Sequence, residues 1–394
     1  MINRSLKTPQ KSSSLLIATP ELGGGSWVCI YEFVKVAYPH SQTLVTTLGL
    51  PKENPNDMTV FKIPYPSYQK LGPNVSSNIL FVLLYKMPLF LMLTIVSLIY
   101  RPQTIIGNGF ITSIACILPA KIVKARIIAS FHGHVRHTIG PSIRHLVRFL
   151  CNSFDLVTVN SIGSKDDASM LIDPNKILVI EHSADDIFFQ NRNRAALREK
   201  MSLKDKFVIL YVGRMDVEKS FDALLSAFKN LSGVNDIVLF IVGTGNLEGR
   251  VRLMEKESIN IKYFGYLTDR QQLAELYTVA DVVWSYADET YLAKPAIESL
   301  ASGTPIIIPD KPAIYRKAKA GIRIDPKLVP KDIGWIVDAS ETSEIVQLIS
   351  SIKAKSIVLK QMRANCVRYA KINHSPESLR KAVADLHGII LDKH

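Results

Sequence analysis

Short apolar runs recur along the chain, and the stretches between them set their apolar residues at helical spacing. The runs fall at residues 15–18, 44–47, 104–106, 127–131, 156–159 and 177–180, then at 208–212, 238–242, 282–284 and 306–308. Runs this short and continuous read as strands buried on both faces. The helical spacing of Ile30, Phe33, Val34 and Ala37, and of Phe221, Leu224, Leu225 and Phe228, supplies helices to cover them. Strands alternating with helices predict an α/β protein built on two parallel sheets, and 394 residues exceed what one core usually organises. The polar, strand-free stretch 185–205 marks the linker, placing one domain at 1–190, with a loose basic tail over 1–14, and a second at 191–374. A closing helical pattern over 375–394 carries Leu379, Val383, Leu386 and Ile390.

Two first-half segments depart from ordinary patterning. Residues 79–100 hold a single charge, Lys86, and match a bilayer in length, but Lys86-Met87-Pro88 interrupts the run and leaves an apolar segment over 89–100. Spanning, interfacial lodging and core packing as a crossover helix are the three readings. Further on, Ile143, Leu146, Val147 and Leu150 share a helical stripe opposite Arg144, His145 and Arg148. That basic face is either plain solvated surface or a contact for acceptor or lipid phosphate.

Candidate chemistry sits in loops between strands and helices. Gly213-Arg214 ends one strand and Lys219 opens the next helix, so two cations serve one loop, Arg as a fork and Lys as a point charge for phosphate. Glu289, Thr290 and Tyr291 lead through Pro295 into a short helix carrying Glu298, stopped by Gly303-Thr304-Pro305. A helix N-terminus suits an anion, and a carboxylate one turn in can accept from both hydroxyls of a ribose. Gly243 and Gly245 lack the third glycine of a dinucleotide fingerprint and read as a tight turn. Gly24 and Gly25 precede a helix and allow close approach of a ligand, or form a simple turn with Ser26 as cap. His132, His134 and His137 cluster without a carboxylate or cysteine partner, which argues against a metal site.

Taken in this order, the motifs resemble glycosyltransferase family 4 of the group 1 type, and the resemblance covers essentially the whole chain. It implies a GT-B fold: two Rossmann-like domains facing across a cleft, an acceptor-side domain first, a nucleotide-sugar domain second, and a last helix returning to the first. It also implies retaining, metal-independent transfer of a sugar from a nucleotide diphosphate donor to a glycan or lipid-linked acceptor, with no cofactor. By resemblance Arg214 and Lys219 hold the diphosphate, Glu298 the ribose, Gly265, Tyr266 and Leu267 the base, and His132 lies beneath the sugar. The family's first glutamate falls at Thr290 by spacing, with Glu289 next to it. An inserted residue between the two glutamates assigns the role to Glu289. Two other readings of the motif set are a non-catalytic scaffold and a sugar-nucleotide epimerase or phosphorylase.

Charge narrows the partners. A net charge of +13 suits an anionic nucleotide sugar, an anionic membrane surface, or both. No nucleic-acid module signature is present, so nucleic acid is not expected. Four scattered cysteines and a start without an apolar leader predict reduced thiols and a cytoplasmic protein, and the apolar segment 89–100 with the basic face Arg144/Arg148 predicts peripheral association with the membrane's cytoplasmic face.

Overall fold

Side chains along the strand Phe207–Val212 alternate between two cores. Val208 and Leu210 enter one apolar cluster, while Phe207, Ile209 and Tyr211 enter another on the opposite face. A strand buried on both sides belongs in the middle of a parallel sheet, and each side chain fully withdrawn from water stabilises the fold by about 1.5–3 kcal/mol.

The computed structural model describes residues 14–19, 25–39, 41–48, 58–63, 79–131, 144–231, 236–287, 291–310 and 324–391. They divide into two compact units, 1–180 with 382–394, and 181–381. The sequence reading set these boundaries at 190/191 and 374/375. Residues 185–205 belong to the second unit, where Phe188 is fully buried and Arg198 donates to the carbonyls of Val279 and Leu203.

In the first unit, β1 (Ser14–Thr19), β2 (Gln42–Leu48), β3 (Thr59–Ile63), β4 (Thr104–Asn108), β5 (Arg126–Phe131), β6 (Leu156–Val159) and β7 (Ile177–Val179) form a parallel sheet in the order β3-β2-β1-β4-β5-β6-β7. Its helices are α1 (Gly25–Ala37), α2 (Ile79–Tyr100), α3 (Phe110–Val123), α4 (Arg144–Cys151) and α5 (Ile162–Ala168). The helix α2 runs unbroken through Pro88 instead of starting after it. A proline deletes one main-chain bond and tilts the axis, and the turns on either side carry the helix past it. Leu89, Leu93 and Val96 of α2 are buried, so core packing accounts for one side of the helix. Among the described residues no helix is long and apolar enough to cross a membrane.

The second unit holds β8 (Phe207–Val212), β9 (Ile237–Val242), β10 (Ile261–Tyr263), β11 (Val282–Trp284), β12 (Ile306–Asp310) and β13 (Gly334–Asp338), parallel in the order β10-β9-β8-β11-β12-β13. Covering it are α6 (Arg194–Lys200), α7 (Phe221–Leu231), α8 (Glu248–Glu257), α9 (Arg270–Val279), α10 (Lys294–Ala301), α11 (Thr342–Ala354) and α12 (Ser356–Asn373), followed by α13 (Pro376–Leu391). In this sheet the order reverses between β8 and β11. An open parallel sheet binds ligands outside the carboxyl ends of its strands at such a switch point.

Candidate functional site

Three glycines set the backbone at that end of the second sheet. Gly243, at φ +128°, passes so close to the β8 loop that a Cβ there would lie 2.0 Å from the Gly213 carbonyl oxygen. Gly213 N–H donates to Val242 O at 3.0 Å and Gly243 N–H to Gly265 O at 2.8 Å, so the exits of β8, β9 and β10 are joined in series. Met215 N–H then donates to Thr244 O (3.1 Å) and Leu247 N–H to Met215 O (3.0 Å). The loop bearing Arg214 is thus braced from below by main chain, and its side chain is left on the surface. Gly213, Gly243 and Gly265 are brought together by these bonds; beside them Tyr266 is exposed and Leu267 packs against the core.

Arg214 is exposed, with Nε 3.3 Å from an Asp216 carboxylate oxygen, and Tyr211 Oη donates to its carbonyl. Lys219 lies at the end of a short 3-10 turn, and its Nζ sits 3.4 Å from the centre of the Tyr286 ring. Tyr286 follows β11, so this cation–π contact joins the two loops flanking the switch point. An ammonium over a tyrosine face gains about 0.5–1 kcal/mol at an exposed site, enough to hold its orientation.

The β11 exit continues through an Ala287–Leu292 bridge to α10, with Pro295 in its first turn and no side-chain cap on Ala293. Lys294 is buried and donates to Ser183 O at 2.5 Å, and the Tyr291 ring meets His182 edge-on at 5.6 Å. Glu298, on the second turn, is only 3% exposed. Tyr277 Oη donates to its Oε2 at 3.1 Å, and the Arg270 guanidinium stands 3.0 Å from Oε1, an ion pair off the hydrogen-bond direction. Burial raises the Glu298 carboxyl above the usual range, against the opposing pull of Arg270 and Lys294. Arg270 also pairs with Asp185 and lies over the Phe188 ring at 4.7 Å.

Arg270, Tyr277, Tyr286 and Asp216 are site neighbours that the sequence reading missed. Arg270 and Tyr277 are seven residues apart on α9, hence on one face, and that spacing was the available signal. Gly24, His132, His134, His137, Glu289 and Thr290 lie outside the described residues, and Gly25 is the first residue of α1. Arg144 and Arg148 are exposed on α4 in the first unit. On that helix Val147 and Cys151 are buried, whereas Leu146 is 60% exposed and so is not on the buried stripe expected for it. Among the described residues no group of three His, Cys, Asp or Glu side chains could hold a metal ion.

Two parallel Rossmann-like sheets, the second with its loops converging at a switch point, are the GT-B fold of glycosyltransferases. Solved structures agree with this over nearly the full chain. Anabaena HepE in complex with UDP superposes with a TM-score of 0.71 at 15% identity, covering 95% of this chain and 99% of that one. Sucrose-phosphate synthase from Thermosynechococcus elongatus superposes with a TM-score of 0.75 at 15% identity, covering 97% and 100%. Residues 193–372, the greater part of the second unit, match the family described as glycosyl transferases group 1. A GDP-mannose-dependent alpha-(1-6)-phosphatidylinositol dimannoside mannosyltransferase of Mycobacterium tuberculosis is 33% identical over 124 residues, 31% of this chain. That match spans about a third of the relative, 32% of its length.

Proposed function

We propose that the chain is a retaining glycosyltransferase, moving a sugar from a nucleotide diphosphate sugar to a glycan or lipid-linked acceptor. The observation that carries the reading is the Lys219–Tyr286 contact at the β8/β11 switch point, with Arg214 on the same loop and α10 following the other. Fixed cations at that point meet charge that grows on the diphosphate as the bond from the anomeric carbon breaks, with no metal ion or cofactor called for. The acceptor oxygen then bonds to the anomeric carbon on the face the phosphate leaves, and its proton passes to the departing phosphate. Glu298 takes the ribose hydroxyls, Gly265, Tyr266 and Leu267 border the base, and Glu289 and His132 handle the sugar. Gly24 and Gly25 are assigned by the proposal to sugar binding, and Gly213 and Gly243 let the backbone come close to the donor. The similarity to proteins named for GDP-mannose or solved with UDP supports a nucleotide diphosphate donor.

The acceptor side belongs to the first unit, and association with the cytoplasmic face of a membrane goes with a lipid-linked acceptor. A second reading, a scaffold without turnover, is favoured by the near-complete burial of Glu298 in its ion pair. A melting screen against nucleoside diphosphates and their sugars tests binding, since a ligand at about 100 times its dissociation constant adds roughly 2.7 kcal/mol. Hydrolysis of the stabilising donor, undiminished by excess chelator, then separates a working enzyme from a scaffold. No stabilisation by any nucleotide would sink both readings. If the insertion assigns Glu289 the sugar role, Glu289→Gln harms turnover more than Thr290→Ala; the reverse order gives the role to Thr290.

A further inference from the structure

Helices α2, α3 and α4 cover one face of the first sheet. Leu93 and Val96 of α2, Cys116, Ile117 and Ala120 of α3, and Val147 and Cys151 of α4 share one buried cluster with the strands. A helix that spends one side on a core ordinarily turns a polar side to water. The helix α2 does not. Met87, Leu91, Ile95, Leu98 and Ile99 recur in steps of three and four residues down its outer side, each between 46% and 63% exposed. The neighbouring helices continue the surface with Leu118 and Ile122 of α3 and with Leu146 and Phe149 of α4, the last 72% exposed. Where Phe61 and Tyr100 meet the α2 stripe there is a groove of about 550 Å³ with almost wholly apolar walls. Isolated apolar side chains on a surface need no explanation, but exposed apolar rows repeated on three neighbouring helices mark something that covers them.

The charge around this layer says what the cover is. Between Met58 and Phe154 the sequence has ten lysines and arginines and not one aspartate or glutamate, so all 35 acidic residues of the chain lie elsewhere. Lys121 and Lys124 at the end of α3, and Arg144 and Arg148 on α4, are exposed beside the apolar positions. A second copy of this face would bring like charges together. An aqueous anion would satisfy the cations and leave the apolar rows wet. A bilayer with anionic headgroups offers phosphate at its surface and hydrocarbon roughly 5–10 Å below, which matches both features.

We propose that the outer face of α2, α3 and α4 docks on an anionic phospholipid bilayer, with Leu91, Ile95 and Ile99 among the acyl chains and Lys121, Lys124, Arg144 and Arg148 on the phosphates. This deepens the reading of a lipid-linked acceptor by fixing which face meets the membrane. Its evidence is burial and charge, and its test reads vesicle binding, so it fails separately from sugar transfer.

The full chain is floated with vesicles of phosphatidylcholine alone and with about one third phosphatidylglycerol added. Binding is expected only with the anionic lipid, falling about tenfold in roughly 0.5 M salt. The double change Leu91→Glu/Ile95→Glu is expected to abolish it while melting and nucleoside diphosphate stabilisation persist. Arg144→Glu/Arg148→Glu should weaken it about tenfold or more. Wild-type protein that stays in the aqueous fraction with both vesicles overturns the proposal, as does binding that survives the Leu91/Ile95 change. A wild-type dimer in sedimentation that this change splits would make the face a self-interface and overturn it too. Vesicle binding without any nucleotide stabilisation would instead remove the transferase reading and leave the docking face standing.

Discussion

Arg270 and Glu298 form a 3.0 Å ion pair that spans two helices of the second unit, α9 and α10. Glu298 is withdrawn from water, and Arg270, with 37% of its side chain exposed, is tied at its other side to Asp185. A buried carboxylate is costly unless something opposite in charge keeps it ionised. The guanidinium therefore opposes the upward pull of burial on the residue proposed to accept from the ribose, and Tyr277 aims the second oxygen.

Arg270→Met is expected to cost about 1–3 kcal/mol, less than the loss from a fully buried pair because Arg270 is partly solvated. Without its partner Glu298 moves further up, so the folded state holds a proton to higher pH than the unfolded chain. Stability of the variant should then fall, relative to wild type, as pH rises through and above the ordinary glutamate range. Nucleoside diphosphate affinity should show the converse dependence, weakening more as pH falls in the variant than in wild type, with Arg270→Lys restoring most of it. Calorimetric titration at several pH values checks this; a pH-independent loss of affinity would reduce Arg270 to a packing residue.

The cations at the switch point should behave differently from that pair. Arg214 is exposed and Lys219 is half-buried against Tyr286, so Arg214→Ala and Lys219→Ala leave melting nearly unchanged. Each should lower kcat by about two to three orders of magnitude, as loss of one preorganised donor to developing charge does. Tyr286→Leu removes the platform under the ammonium and should cost about three- to fivefold. Near-normal turnover in Lys219→Ala would place the diphosphate elsewhere.

Much of this was legible in the sequence because parallel strands buried on both faces are continuous apolar runs. The runs at 208–212 and 282–284 correspond to β8 and β11, the pair that defines the switch point. What escaped was written in other terms. β3 (Thr-Val-Phe-Lys-Ile) is an edge strand interrupted by Lys62, and β10 (Ile-Lys-Tyr) an edge strand interrupted by Lys262, so neither has the continuous apolar run a central strand shows. The interruption read at Pro88 gave way in a helix that packs on the strands and on α3. Leu146 was assigned to the core by periodicity, which reports one face of a helix but not whether a second apolar face stays uncovered. Arg270 was missed because its partner lies 28 positions away and meets it only through the fold.

Two glycines on adjacent loops separate conformation from space. Gly243 has φ +128° and no room, and a methyl there would overlap the Gly213 carbonyl, whereas Gly265 has φ +66° with nothing within 4 Å of a Cβ. Gly265→Ala should cost only the left-handed penalty of about 1–2 kcal/mol. Gly243→Ala adds backbone displacement of the Arg214 loop to about 1–3 kcal/mol of strain, and turnover should fall more steeply than stability. Urea denaturation alongside kinetics distinguishes them; equal effects at the two positions would mean the loops are not braced as described.

His374 gives the second unit a pH limit of its own. It ends α12, where its carbonyl accepts from Ala184 N–H at 2.8 Å and its Nδ1 lies 2.9 Å from His182 O, fastening residues 182–184 to that helix. Glu181 stands 3.8 Å away and the Tyr369 ring packs alongside, yet burial dominates and lowers the imidazole from 6.5 to about 4. The unfolded chain therefore takes up a proton near pH 6.5 that the folded chain refuses until about 4. Stability from neutral burial is complete above the unfolded value and is lost as pH falls through that window, by about 3 kcal/mol in all. His374→Gln keeps a side-chain donor toward the His182 carbonyl without the titration, so its stability should decline less between about pH 6.5 and 4 than that of wild type. Parallel urea denaturation curves across this range provide the comparison, and identical slopes for the two proteins would show that His374 is charged or solvated in the fold.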